Sequence, residues 1–387
     1  MIIYNKVWLL NAMLLELVEK ENKEGTISNA EMNRIKGKYP VEFYSPNFFI
    51  RVGLFIITVV IWGAVQGLLN LLLRDLGYNS GYALIIFMGV LSYSALIIIV
   101  EKKSHYRSGV DDALLWLTLL SLVSAFNQGL FIAPLYEDQA LSLFIFLLSL
   151  LLTLRSSDMI MGLVCYLSLF ALIYFSMQKM GPLGIAAMPF ILMLLSGMTY
   201  WLVCRNINHQ KALYYTNPLD ILQIISLITL YASGNYYLVK ELGDRLNNTT
   251  SESIPFGWYF WIWTIIVPVI YIYRGLSRKD VICLRVGLIM CIAAAVTVRN
   301  YYHIIPLELV FILGGTFVLL ISYYLTNYLK RPKHGFTYQQ QTAESHLGQL
   351  QIESLIISET SSGIGNAPQN TGTQMGGGKF GGGGASV

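Results

Sequence analysis

Six polar residues stand where apolar runs give way to loops on one side of the chain's apolar blocks: Asn127, Gln128, Asn235, Arg299, His303 and Glu308. Arg299 and Glu308 supply opposite charges, His303 supplies a group that titrates near neutral pH, and the amides offer hydrogen bonds. Tyr236, Tyr237, Tyr301 and Tyr302 surround them. If the segments bundle so that these ends converge, the result is a polar pocket at the membrane boundary, able to act on a lipid-linked substrate. The competing reading is an aromatic belt with hydrogen-bonding helix ends, and it is the one favoured on sequence.

Other chemistry is not spelled out. The chain has no HExxH, no GxSxG elbow, no Walker loop and no GxGxxG after a strand. Leu242-Gly243-Asp244 lacks the second glycine of an intramembrane aspartyl protease. The four cysteines, Cys165, Cys204, Cys283 and Cys291, fall in or beside apolar runs with no disulfide or metal spacing. No catalytic residue, metal site, cofactor or nucleic-acid partner is therefore expected.

The elements that must position these residues follow from composition. Of 387 residues 55% are hydrophobic and 12% charged, against about 25% charged in a soluble domain. The apolar residues come in blocks long enough to cross a hydrocarbon core as helices. The fold class is all-α, a polytopic helical membrane protein in the lipid bilayer; soluble enzymes and porin-type barrels are excluded. Ten spans are read near 52–73, 82–100, 113–133, 139–154, 159–177, 185–204, 219–239, 258–273, 281–298 and 306–329. The fourth and eighth look short, and the third and fourth could form a re-entrant pair.

Within the first span, Gly63 and Gly67 with Gln66 and Asn70 fit small-xxx-small helix packing, the amides acting as interhelical glue. Arg51 and Arg285 lie close enough to span ends to snorkel to the headgroups. Asp220 reads as a first-turn acid of the seventh span.

Soluble segments flank the spans. Residues 1–47 read as a cytosolic helical hairpin: Leu10, Met13, Leu14, Leu17 and Val18 recur at helical spacing, and Ser28 with Glu31 forms a capping box for a second helix that stops by Pro40. So small a unit cannot stand alone, and lies against the membrane portion or a partner. Residues 48–329 form the membrane domain. The tail, 330–387, opens with Lys330-Arg331-Pro332-Lys333 and ends in a Gly-rich tract around Phe380; its composition predicts disorder.

Charge sets the orientation. Nineteen of the 26 Lys and Arg fall on the side of the two termini and five on the other, which puts both termini in the cytoplasm.

Gly25-Thr26-Ile27-Ser28, Glu31 and Arg34-Ile35, running into Trp62-Gly63, resemble the N-terminal region of bacterial membrane proteins grouped as domain of unknown function 2157. The likeness covers roughly residues 10–75. It implies residence in a bacterial inner membrane and no activity. The run Asn22–Lys38 and the glycine tail depart from that pattern.

Three functions are weighed. A scaffold or sensor working through protein partners of residues 1–47 and of the Gly-rich tail ranks first, because two soluble extensions flank spans poor in charge. A transporter or channel for a small solute or lipid is second, with Gly63/Gly67 and Pro189/Ser196-Gly197 as helix break points. An outer-face enzyme using Arg299, His303 and Glu308 is a distant third.

Overall fold

The computed structural model describes residues 2–23, 27–72, 80–129, 137–207, 209–247, 254–278, 280–301 and seven positions between 312 and 324. Among them the chain is helical, with one isolated β-bridge between Tyr44 and His105. The helices are α1 Lys6–Lys23, α2 Asn29–Lys38, α3 Phe48–Leu72, α4 Ser80–Lys103, α5 Val110–Gly129 and α6 Glu137–Ser156. They continue as α7 Met159–Lys179, α8 Pro182–Asn206, α9 Thr216–Ala232, α10 Tyr236–Asn247, α11 Gly257–Arg278 and α12 Val281–Tyr301, with a 3-10 turn at Gln210–Tyr215 before α9. Eight of them, α3 to α8, α11 and α12, are long and apolar enough to cross a membrane. The protein is a multi-pass membrane protein.

Short polar side chains start the helices. Asn5 Oδ1 accepts from Val7 N at 2.9 Å, Asn47 Oδ1 from Ile50 N at 3.1 Å, and Asp158 Oδ1 from Ile160 N and Met161 N at 2.9 and 2.8 Å. Each relieves amide donors that a helix leaves without intrahelical partners. The Ser28–Glu31 capping box is present in both directions. Leu14 and Val18 of α1 meet Ile35 of α2 and Ile27 of the turn, closing the expected hairpin.

Two half-bundles make up the membrane domain. One comprises α3 to α7 around Leu96, Val100, Leu114, Leu115, Leu119, Leu152 and Met161. In the other, α9, α11 and α12 pack around Leu227, Tyr231, Val267, Tyr271 and Cys283. α8 packs on α9, and α7 joins the halves by packing on both α8 and α9. Hydroxyls stitch the seam: Tyr166 Oη of α7 lies 3.2 Å from Ser196 Oγ of α8 and 2.6 Å from Thr229 Oγ1 of α9, and the last two are 3.0 Å apart. Ser92 and Thr118 bridge α4 and α5 at 2.9 Å.

Several expectations change. The seventh span is broken: α9 stops at Ala232, and α10 starts at Tyr236 as a separate amphipathic helix. Within the break Gly234 packs so closely on Trp263 and Met193 that a Cβ would overlap both. The fourth and eighth spans are 20 and 22 residues, α6 and α11, and not short. α5 and α6 each run 20 residues, about 30 Å at 1.5 Å per residue, so each is long enough to cross the hydrocarbon core by itself. Asp220 lies in the second turn of α9. Neither transporter break point breaks: α3 and α8 each run 25 residues uninterrupted, α8 through Pro189 and Ser196-Gly197. Most of the tenth span, and the whole tail, lie outside the described residues.

Candidate functional site

Two places collect polar or open surface, one at each end of the bundle. The first is where Tyr4, just before the N-terminal hairpin, meets α4, α5 and α7. Gly109 adopts φ +93° and a Cβ there would lie 2.0 Å from the Arg51 carbonyl oxygen; only glycine lets the loop before α5 press so closely on α3. That approach aligns two neighbouring carboxylates with different partners. Asp112 Oδ2 takes Arg51 Nε at 2.8 Å and a second guanidinium nitrogen at 2.7 Å. Arg51, read from sequence as able to snorkel, thus has an ion-pair partner in Asp112 of α5. Arg285, by contrast, is exposed on α12.

Asp111, 2% exposed, accepts from Arg107 N, Ser108 N and Ser108 Oγ at 2.8 to 2.9 Å, and from Tyr4 Oη at 3.2 Å. A buried carboxylate survives when its lone pairs are filled in this way. His105 Nδ1 lies 2.8 Å from Ser108 Oγ, which extends the chain of contacts outward. Tyr4, Tyr106, Arg107, Ser157, Asp158 and both α5 aspartates line a small void of about 20 Å³, close to the size of one water molecule.

Burial is the largest influence on the titration of Tyr4, Asp158 and His105 around this cluster. It pushes the Tyr4 hydroxyl well above its ordinary range, and Asp111 pushes it the same way. Burial also raises the Asp158 carboxyl, opposed by its amide donors and by Arg107 and Arg51. His105 is held below its usual value by burial, with Asp111 pulling the other way. Among the described residues no three such side chains are placed to hold a metal ion. Its carboxylates are matched by donors, and through Tyr4 the cluster fastens the N-terminal segment to α5.

The hairpin is bound to it by more than one contact. Ile3 N donates to Arg155 O at 3.0 Å, Tyr44 N to Ser104 O at 2.9 Å and Tyr106 N to Tyr44 O at 3.3 Å. The Phe43 ring stacks on Tyr106 at 4.9 Å, and Tyr4 meets Tyr106 edge-on at 5.0 Å. Lys6 lies over the Tyr214 ring, 5.8 Å from its centroid.

At the other end, the structure treats the six singled-out residues differently. Asn235 is buried between helices: its Nδ2 donates to Tyr231 Oη and Thr297 Oγ1, both at 2.9 Å, and its Oδ1 accepts from Leu238 N, capping α10. Arg299 sits half-buried in the last turn of α12. Asn127 and Gln128 are exposed on α5 in the other half-bundle, Gln128 donating to Ser124 Oγ at 3.3 Å. His303 and Glu308 lie outside the described residues. Of the four tyrosines, Tyr236, Tyr237 and Tyr301 gather here: Tyr236 stacks on Trp261 at 4.8 Å, Tyr301 meets both edge-on and Tyr237 at 6.4 Å, while Tyr302 lies outside the described residues. In the first span, Gly63 and Gly67 have no described atom within 4 Å of a Cβ. Gln66 is half-buried and Asn70 exposed.

Beside that aromatic cluster lies an open groove of about 370 Å³ between α8 and α10, walled by Ala186, Pro189, Phe190, Leu238, Leu242 and Phe256 among others. Sequence reasoning missed both places. The pair Asp111-Asp112 was not singled out in the sequence, and the groove depends on where α10 sits against α8, which no local signal carries. Comparison with protein-family models, with curated proteins and with solved structures finds no match to this chain.

Proposed function

We propose that the protein is a scaffold or sensor of a bacterial inner membrane, with both termini in the cytoplasm, acting through proteins that bind the hairpin and the Gly-rich tail. One observation carries this reading. The soluble hairpin is fastened to the membrane bundle by Tyr4–Asp111, by backbone bonds at Tyr44 and by a ring cluster, so a load on either part reaches the other. The membrane part supports it too: Ser149, Thr153, Ser196, Thr199 and Thr229 each donate to a carbonyl four residues back in their own helix. Hydroxyls used in this way offer little to a passing solute. The transporter reading loses support with its unbroken α3 and α8.

The test uses full-length, affinity-tagged protein in detergent beside a 339–387 deletion and an Arg34→Glu/Lys38→Glu double variant on the exposed face of α2. A partner recovered with the full chain and lost from either variant is the expected result. Identical partners throughout, or solute flux by purified protein in proteoliposomes that survives both changes, would overturn the proposal.

A further inference from the structure

α10 is amphipathic, and its two sides have different neighbours. Arg245 pairs with Glu241 on the polar side at 2.8 Å. Leu238 and Leu242, on the apolar side, remain 45% and 41% exposed because they face the groove and not a helix. The opposite wall is apolar as well, formed by Ala186, Pro189 and Phe190 of α8. At about 370 Å³ the groove is more than twice the roughly 150 Å³ cavity that accepts benzene in an engineered core. Few polar groups line it, Ser233 and Asp244 being the side chains able to hydrogen-bond, so its occupant is held by burial and not by a polar code.

The groove is also continuous with the lipid-facing surface. Ala186, Phe190, Leu194, Met198 and Leu202 are all exposed at four-residue intervals along α8, a row that winds around the helix by about 40° per step at 3.6 residues per turn, with the first three sharing a face. The row starts inside the groove and runs down the membrane-crossing helix. Anything that reaches the groove along this track comes from the hydrocarbon of the bilayer.

We propose that this groove is a docking site for one hydrocarbon tail of a membrane lipid, which enters along the α8 row and lies beneath α10. The tail covers Leu238 and Leu242, which no described helix covers. It makes α10 a lid whose seat depends on lipid.

Two wedge variants test this from opposite walls. Ala186 is exposed, and Gly243 has no described atom within 4 Å of a Cβ, so Ala186→Trp and Gly243→Trp fill the groove without entering packed core. The full-length protein is reconstituted in phosphatidylglycerol vesicles doped with phosphatidylglycerol carrying a diazirine at the end of one acyl chain. After irradiation, peptides 182–192 and 238–256 should be labelled above the lipid-facing positions Phe87 and Val90 of α4. Each wedge should lower that labelling about tenfold, the effect of denying burial to roughly two methylenes, while Phe87 and Val90 labelling stays constant and reports intact folding. Labelling no higher than at Phe87 and Val90, or unchanged by both wedges, overturns the proposal. So does a Leu238→p-benzoylphenylalanine variant that crosslinks within the chain to 302–329, because a protein segment would then be the occupant.

Discussion

Tyr4 donates its hydroxyl to Asp111 at 3.2 Å, linking the first residues of the N-terminal hairpin to the first turn of α5 across 107 positions of sequence. Both side chains are buried, and Asp111 also holds the loop before α5 through Arg107 and Ser108. Fastening and loop are thus one structure, and loss of either residue should loosen the hairpin first.

Tyr4→Phe keeps the ring contacts with Phe43 and Tyr106 and removes one donor. A hydrogen bond to a charged group is worth about 1.5–3 kcal/mol; three donors remain on Asp111, so the lower end is expected. Asp111→Ala strands the Ser108 and Arg107 amides and should cost more. The check is hydrogen exchange in detergent. Peptides covering 2–8 and 104–112 should lose protection in both variants, more in Asp111→Ala, while α11 and α12 remain protected.

Gly109→Ala attacks the same fastening from the backbone. The added methyl would overlap the Arg51 carbonyl at 2.0 Å, at a φ that L side chains rarely adopt. The loop must move off α3, which separates Arg51 from Asp112 and leaves a half-buried acid without its cation. The thermal midpoint should fall further for Gly109→Ala than for Arg51→Lys, which keeps the charge but loses the two-nitrogen grip.

The fastening should also respond to pH. His105 titrates below its ordinary 6.5 in the folded protein, so between that lowered value and 6.5 the unfolded chain binds more protons. Stability from this group is complete above pH 6.5 and falls as the pH drops through the window. Asp158 works oppositely: its carboxyl is raised above 3.8, so its burial costs least in acid and destabilises increasingly as the pH rises through its own range. His105→Gln should flatten the dependence just below pH 6.5. Asp158→Asn should alter only the more acidic part, read as unfolding midpoints across pH 4 to 8.

How legible this was depends on range. The Ser28–Glu31 box and most span positions are local signals of capping and apolar run length, and both parts of the hairpin follow from them. The break at Gly234 was hidden because 219–239 stays apolar past it, and glycine and asparagine are tolerated in membrane helices. The close approach of Gly234 to the indole of Trp263 and the tip of Met193 involves residues distant in sequence, so no local signal carries it. The same holds for the fastening: Asp111 and Asp112 look alike in a row, and only Tyr4 and Arg51, from distant segments, give them separate roles. Asn235 was singled out as a pocket residue; its place between Tyr231 and Thr297 makes it a joint between α9, α10 and α12.

That joint gives the last prediction. Asn235 touches Tyr231, Thr297 and Leu238 N, so Asn235→Ala removes contacts to two helices and the cap of a third. Interhelical hydrogen bonds in membranes average about 0.6 kcal/mol, reaching about 1.7, and a lost cap costs about 1 kcal/mol. A total near 2 kcal/mol is expected. Asn235→Asp should keep the cap, since a carboxylate still accepts from Leu238 N, but it loses the amide donor and leaves only the Tyr231 and Thr297 hydroxyls to donate to it. Ser196→Ala, which disturbs only the Tyr166–Ser196–Thr229 seam between the half-bundles, is the comparison. Cysteine accessibility in α10 should rise in Asn235→Ala, less in Asn235→Asp and not in Ser196→Ala; equal exposure in all three would mean that α10 is seated by the groove and its aromatic neighbours alone.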